Sequence, residues 1–354
     1  MVEYVPMRPI ATDTADFPKL REKGCIYVDK TMFMHRMVSD VGTNLFFISR
    51  PRRFGKSLTL SALKALFSGR RELFEGLYIG GTDWKWEKYP VIHFEFNDVT
   101  TTSIADFDIS FAEHVRERLE EAGFVYDRSL PPPENFGQAI KVLSAANSGK
   151  GVVILIDEYD APVGHALGDL DMAEAIRDKM SALYSRMKNR TGDIRFLLMT
   201  GISKFTRLSV FSALSNLVDV SQDEAYATMF GYTEDELTAN FEDHLREHAV
   251  LMGKSYEDYR AELKRWYNGF RFSPDDETTV YNPISIALTL RKKDKNGFNA
   301  TWATTGRPSM LMNYLRREDM LRIDPEATQK VRAEMFDVAE LRRLRPIPML
   351  YQSG

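Results

Sequence analysis

The stretch from Leu45 to Phe67 constrains the fold of this chain more than any other. Leu45-Phe46-Phe47-Ile48-Ser49 is an apolar run of strand length, and Arg50-Pro51-Arg52-Arg53-Phe54-Gly55-Lys56-Ser57 is a short basic loop. Leu58, Leu60, Leu63, Leu66 and Phe67 then recur at spacings that put most of them on one helical face. A phosphate-cradling loop needs inward backbone N–H groups, a lysine that reaches the β- and γ-phosphates and a hydroxyl for Mg²⁺, all at a helix N-terminus. Gly55, Lys56 and Ser57 supply the last three positions of the pattern G-x-x-x-x-G-K-[ST]. Arg50 stands where the first glycine belongs, and Pro51 fixes the next φ at about −65°. A bare Gly-Lys-Ser is more often a turn before an amphipathic helix; the strand ahead of it and an acidic strand downstream make nucleotide binding the better reading here. The expected nucleotide-binding set is Arg50, Arg53, Phe54, Gly55, Lys56, Ser57 and Leu58, with Ser57 also on the metal. Lys56 is expected to face solvent, so that its loss leaves the fold intact.

The acidic strand is Val152-Val153-Ile154-Leu155-Ile156-Asp157-Glu158-Tyr159-Asp160. Five consecutive apolar residues do not suit a half-exposed strand, so this is a central strand buried on both faces, ending in carboxylates at the edge where open α/β sheets place their ligands. Asp157 is expected to hold Mg²⁺ through its water shell and Glu158 to polarise the water that attacks the γ-phosphate. Charges that end a strand in solvent are common anywhere, but this pair lies downstream of a phosphate loop. Asp160 reads less specifically, as a turn cap before Ala161-Pro162. Ile194 to Met199 is another buried strand, followed by Thr200-Gly201-Ile202-Ser203-Lys204. In ATPases with a catalytic Glu after the metal Asp, the strand beside the acidic one usually lies between it and the phosphate loop. Thr200 is therefore the third catalytic candidate beside Glu158 and Lys56, with Ser203 in reserve. Lys204 and Arg207 read as phosphate contacts or as plain surface charge.

With 354 residues the chain has length for about two domains, and an apolar fraction of 44% is that of an ordinary globular protein. A net charge of −4 argues against a protein that coats nucleic acid, while Arg50, Arg52, Arg53 and Lys56 make a local basic patch within the loop. A single cysteine, Cys25, leaves no internal disulfide and no cysteine-based zinc site, which suits a reducing cytoplasm. Glu3, Asp13 and Asp16 interrupt the N-terminal stretch, so no signal peptide is expected, and no apolar run approaches membrane-spanning length. The six histidines are scattered without metal-ligand spacing.

In order, Cys25 to Val28 looks strand-like, Asp29 can cap a helix from about Thr31 to Ser39, and Tyr27, Asp29 and Lys30 are either adenine neighbours or ordinary packing. Pro90 to Phe96 alternates like a strand, Ile104 to Ala122 is a helix, Pro131-Pro132-Pro133 breaks the chain, and Asn135 to Asn147 and Asp171 to Arg190 are helices. Leu217 to Val220 reads as the last strand. Beyond about Ser221 only helices are expected: one opened by the capping box Thr233-Glu234-Asp235-Glu236, one from Tyr256 to Tyr267, and others at Pro283 to Leu290 and Pro308 to Arg317, with Trp302 as a core anchor. The expected architecture is an α/β P-loop NTPase core, a parallel sheet flanked by helices over residues 1–220, with a helical, lid-like region over 221–354.

RPRRFGKS, VVILIDEYDAPV, FLLMTGISKF with SALSNLVDV, and later FGYTEDEL, WYNGF and VYNPISI together resemble the bacterial AAA-ATPase-like family, over nearly the whole chain from about Ile10. That family carries Arg at the first-glycine position, so the resemblance implies a working loop at Arg50. It implies ATP and Mg²⁺ as ligands. The family's ATPase domain is usually followed by a PD-(D/E)XK nuclease-like domain, which this sequence does not show. The apolar stretch Ile347 to Gly354 is therefore read as leading into a missing effector domain, through which a nucleic acid or protein partner would act, or as packing on the helical region. Slow, Mg²⁺-dependent ATP hydrolysis coupled to conformational change is the leading functional expectation. A nucleotide-dependent switch or scaffold is the alternative; a small-molecule kinase is weaker, because no second cluster of Arg and Asp accompanies the loop. Oligomerisation is left open, and no membrane contact is expected.

Overall fold

A computed structural model describes residues 7–202, 214, 216–292 and 298–299. Two helices come first, α1 (Phe17–Glu22) and α2 (Thr31–Val38), and β1 (Leu45–Ser49) then leads into α3 (Lys56–Phe67). The next elements are β2 (Val91–Glu95), α4 (Ile104–Glu121), α5 (Pro132–Ala146), β3 (Val152–Asp157), α6 (Ala161–His165), α7 (Leu170–Lys188), β4 (Ile194–Gly201) and β5 (Val218–Asp219). Three further helices follow: α8 (Glu234–Leu251), α9 (Tyr256–Tyr267) and α10 (Pro283–Arg291).

The five strands form one parallel sheet in the order β2-β3-β4-β1-β5. Parallel strands are joined by crossover helices and so are covered on both faces, which is why β1, β3 and most of β4 are continuous apolar runs buried throughout. The edge strand β2 instead alternates in burial. On one face Phe47, Ile154, Ile156, Leu197 and Met199 pack with residues of α4, α5 and α7. On the other, Phe46, Ile48, Val153, Leu155, Phe196 and Leu198 pack with α1, α2 and α3. A separate cluster holds the C-terminal helices together through Leu237, Phe241, Tyr259, Leu263, Tyr267 and Ile286, and Ile26 and Val28 of the N-terminal segment join it.

The core and the helical character of the C-terminal region agree with the sequence, with four local differences. Cys25 to Val28 is extended but belongs to no strand; its backbone ties are Cys25 N to Leu20 O and Ile26 N to Pro9 O. The prolines do not merely break the chain before α5. Pro132 opens that helix, since a first-turn residue needs no N–H donor. Asp29 does accept the Thr31 N–H at 2.8 Å, yet the N-cap position itself is Lys30. The region after β5 also carries isolated antiparallel bridges, Tyr232 with Tyr281 and Phe270 with Val280. Among the described residues no helix is long and apolar enough to cross a membrane. The expected features at Ser203, Lys204, Arg207, Trp302, Pro308 to Arg317 and Ile347 to Gly354 lie outside the described residues.

Candidate functional site

The sheet order brings the carboxyl ends of β1, β3 and β4 side by side, and a cleft of about 550 Å³ opens along that edge. The loop Arg52 to Thr59 forms one side of it. Gly55 is the N-cap of α3 with φ +93°, a left-handed conformation that a glycine adopts without strain, while a Cβ there would meet no atom within 4 Å. The constraint at Gly55 is thus one of backbone conformation. The first amides of α3 have no intrahelical acceptor and point out of its positive end, which suits an anion.

Lys56 lies at the start of that helix, and the structure corrects its expected exposure. It is only 4% exposed, with Nζ donating to the backbone oxygens of Arg50 and Pro51, each at 2.9 Å. Burial pulls its pKa down, opposed by the nearby carboxylates of Asp157, Glu158 and Asp160. Ser57 and Leu58 follow in the same turn and line the cleft, as do Arg52 and the expected Arg53, which itself has φ +66°. Phe54 also lines it, although its ring packs edge-on against Phe270 and Phe272 at 4.8 and 5.4 Å between centroids.

At the end of β3 Asp157 is fully buried, and its Oδ1 accepts from Thr200 Oγ1 at 2.6 Å and from the Glu158 N–H at 3.0 Å. Its Oδ2 has no hydrogen-bond partner among the described residues, an acceptor that a cation or its bound water would satisfy. The next residue, Glu158, reaches the cleft with φ +47°, a strained conformation for a residue with a side chain. Burial raises its carboxyl pKa, Lys56 opposes that rise and Asp157 reinforces it. Asp160 accepts the Ile202 N–H at 3.2 Å through Oδ2 and makes no side-chain cap to α6, so its use is to tie the end of β3 to the end of β4. Gly201 makes this close approach possible: a Cβ there would stand 2.5 Å from the Tyr159 ring.

Arg50, expected among the nucleotide contacts, has its side chain engaged within the protein. Its side chain is 1% exposed, and Nη1 donates to Ser49 O at 2.8 Å and Ser221 O at 2.6 Å, while Nη2 donates to Tyr226 O at 3.1 Å. Three backbone carbonyls thus occupy the guanidinium that was expected on phosphate.

A family model described as "Predicted AAA-ATPase" matches residues 9–211. The chain belongs to that family. It is also 36% identical over 312 residues to an uncharacterized protein in the vnfD 5′ region of Azotobacter chroococcum mcd 1, an alignment that takes in 87% of this chain and 55% of that protein. The chain therefore spans little more than half the length of this relative. No solved structure matches the chain.

In this chain β4 lies between β3 and β1 as its sequence implies, and Thr200 at its end meets Asp157. The cleft is also bordered by residues that no sequence pattern flagged. Thr12, Asp13 and Thr14 border the cleft, as do Glu95 at the end of β2, Asn97 just past it, and Met229 to Tyr232 and Ile284 from the helical region. Of the N-terminal trio, Tyr27 and Lys30 line the cleft, whereas Asp29 spends its carboxylate on Thr31 and on the Tyr78 N–H. The signal for Glu95 was its place at the carboxyl end of a strand next to Asp157; burial, Asp157 and Asp98 raise its pKa. No group of three or more His, Cys, Asp or Glu able to hold a metal occurs among the described residues. A loop-bound Mg²⁺ takes few protein ligands and keeps phosphate oxygens and water.

Proposed function

We propose that this chain binds ATP with Mg²⁺ in the cleft, hydrolyses it slowly, and couples turnover to movement of the helical region 221–354 against the core 1–220. The observation that carries the reading is the buried Asp157–Thr200 pair with Glu158 beside it at the cleft. The triphosphate would lie at the N-terminus of α3, where helix amides, Lys56, Arg52 and Arg53 supply positive charge. Ser57 and Asp157 would hold Mg²⁺, which when bound neutralises charge on the β- and γ-phosphate oxygens. The Thr200 hydroxyl keeps Asp157 Oδ1 occupied, leaving Oδ2 for that role. Glu158 accepts the proton of the attacking water, a task favoured by the upward push on its pKa from burial. Met229 to Tyr232 and Ile284 border the same cleft, which gives the helical region direct access to the nucleotide.

The test compares the parent with Glu158→Gln and Asp157→Asn by calorimetric binding and by phosphate release. Glu158→Gln is expected to hold Mg²⁺-ATP within about twofold of the parent and to lose roughly 10²–10⁴ in rate. Asp157→Asn is expected to weaken binding only when Mg²⁺ is present. Phosphate release at the parental rate by Glu158→Gln would remove the general base. A parent that binds ATP and releases no phosphate would make this chain a nucleotide-dependent switch instead.

A further inference from the structure

Arg50 occupies the first position of the phosphate loop, yet its guanidinium is turned beneath the loop into a cage made by the region after β5. Beyond its bonds to Ser49 O and Ser221 O, the decisive partner is Tyr226 O, which accepts both Arg50 Nη2 at 3.1 Å and the Met229 N–H at 3.2 Å. Met229 begins the stretch Met229 to Tyr232 that lines the cleft. The guanidinium also stacks over Phe272 at 4.2 Å and stands 5.8 Å from the ring of Phe230, another cleft residue. Phe272 touches the loop in turn through Phe54. Two carbonyls further along, Thr228 O is held by Lys30 Nζ at 2.7 Å, so a second buried cation also holds this segment.

We propose that Arg50 is a positioning residue that fixes the wall Met229 to Tyr232 against the phosphate loop, and that it is not a phosphate ligand. The inference rests on the reading of the cleft as a nucleotide site. The residue type follows from the geometry. A planar fork reaches three carbonyls while its face lies on an aromatic ring, whereas a lysine offers one point charge that cannot do both. A glycine, the usual residue here, would leave the Ser221 and Tyr226 carbonyls without this donor and the Phe272 ring without its cover.

A wall contact and a phosphate contact predict different dependence on the number of phosphates. Affinities of ATP, ADP and AMP, all with Mg²⁺, are measured by competition with a fluorescent ATP analogue for the parent, Arg50→Lys and Phe272→Leu. Arg50→Lys is expected to weaken all three nucleotides by the same factor, about tenfold, the weight of one charged hydrogen bond. Phe272→Leu, which leaves every loop charge in place, is expected to reproduce that uniform loss and decides the matter if Arg50→Lys fails to fold. A loss that grows from AMP to ADP to ATP makes Arg50 a phosphate ligand and overturns the inference. Unchanged affinities in the folded variants also overturn it. A parent that binds none of the three nucleotides overturns the functional reading itself and the inference with it, a result visible before any variant is compared.

Discussion

Lys56 is the buried cation facing the acidic end of the cleft, so its removal should be felt by the fold as well as by the ligand. Its ammonium clips Arg50 O and Pro51 O and stands near Asp157, Glu158 and Asp160. Lys56→Ala is therefore expected to abolish ATP binding and also to lower unfolding stability by roughly 1–3 kcal/mol, the cost of lost charged hydrogen bonds in a buried place. Urea unfolding of parent and variant without nucleotide checks this; equal midpoints would mean the loop carbonyls relax to water at no cost. The place of Lys56 at the start of α3 was legible in its sequence neighbours Gly55 and Ser57, whereas its burial was not, because the atoms that cover it include carbonyls of its own loop. Arg50 was less legible still. Nothing within the loop announces that a guanidinium will turn toward Ser221 and Tyr226, some 171 and 176 residues away.

The elements were readable where burial imposes a pattern and silent where position alone matters. The apolar runs of β1, β3 and β4 announced fully covered strands and the place of β4 beside β3, whereas the hydrogen bond from Thr200 to Asp157 emerges only in the folded chain. The cleft walls at Thr12 to Thr14, Met229 to Tyr232 and Ile284 carry no periodicity, so only the folded chain gathers them. The seam between the N-terminal segment and α8 is one such gathering. Lys30 Nζ donates to both carboxylate oxygens of Glu236 at 2.6 Å, and Glu236 Oε2 also accepts the Thr233 N–H at 2.9 Å to close the capping box of α8. One carboxylate thus caps a helix and docks it. The Lys30 side chain is 9% exposed and that of Glu236 26%, so the pair is largely, not wholly, withdrawn from solvent. Lys30→Met is expected to cost roughly 2–3 kcal/mol, at or just below the range for breaking a buried pair because water still reaches Glu236. Lys30→Met combined with Glu236→Gln should recover part of that loss, since no carboxylate is then left without its cation. Chemical unfolding of the single and double variants measures the recovery; none would show that the lysine acts through packing.

For the whole molecule, acid sensitivity follows from groups that fold in the neutral form. His93 on β2 and His114 on α4 are each pushed down to about 4, chiefly by burial. Their Nε2 atoms have no hydrogen-bond partner among the described residues, and His114 lies against the rings of Phe94 and Phe96. Lys64 and Arg118 add to the downward push on His93 and Arg118 to that on His114, while Asp157 opposes it at His93. In the unfolded chain both imidazoles take up a proton near their ordinary value of about 6.5, and in the folded chain they refuse it until about 4. The unfolded state therefore binds more protons across that window. The stability these groups contribute is complete above about pH 6.5 and is lost as pH falls toward 4, by up to about 1.4 kcal/mol per pH unit for each histidine. Glu95 and Glu158 work the other way, because burial raises their pKa and the folded state gains their protons early. The expected outcome is a net decline in the urea midpoint between pH 6.5 and 4, to which the carboxylates held below their ordinary range, Glu234 and Glu242 among them, add at the acid end. His114→Phe, which puts a ring among the Phe94 and Phe96 rings without a proton to refuse, should flatten that decline by about half of the histidine contribution. An unchanged slope in His114→Phe would mean that the imidazole charges within the fold, and the acid sensitivity would have to come from elsewhere in the chain.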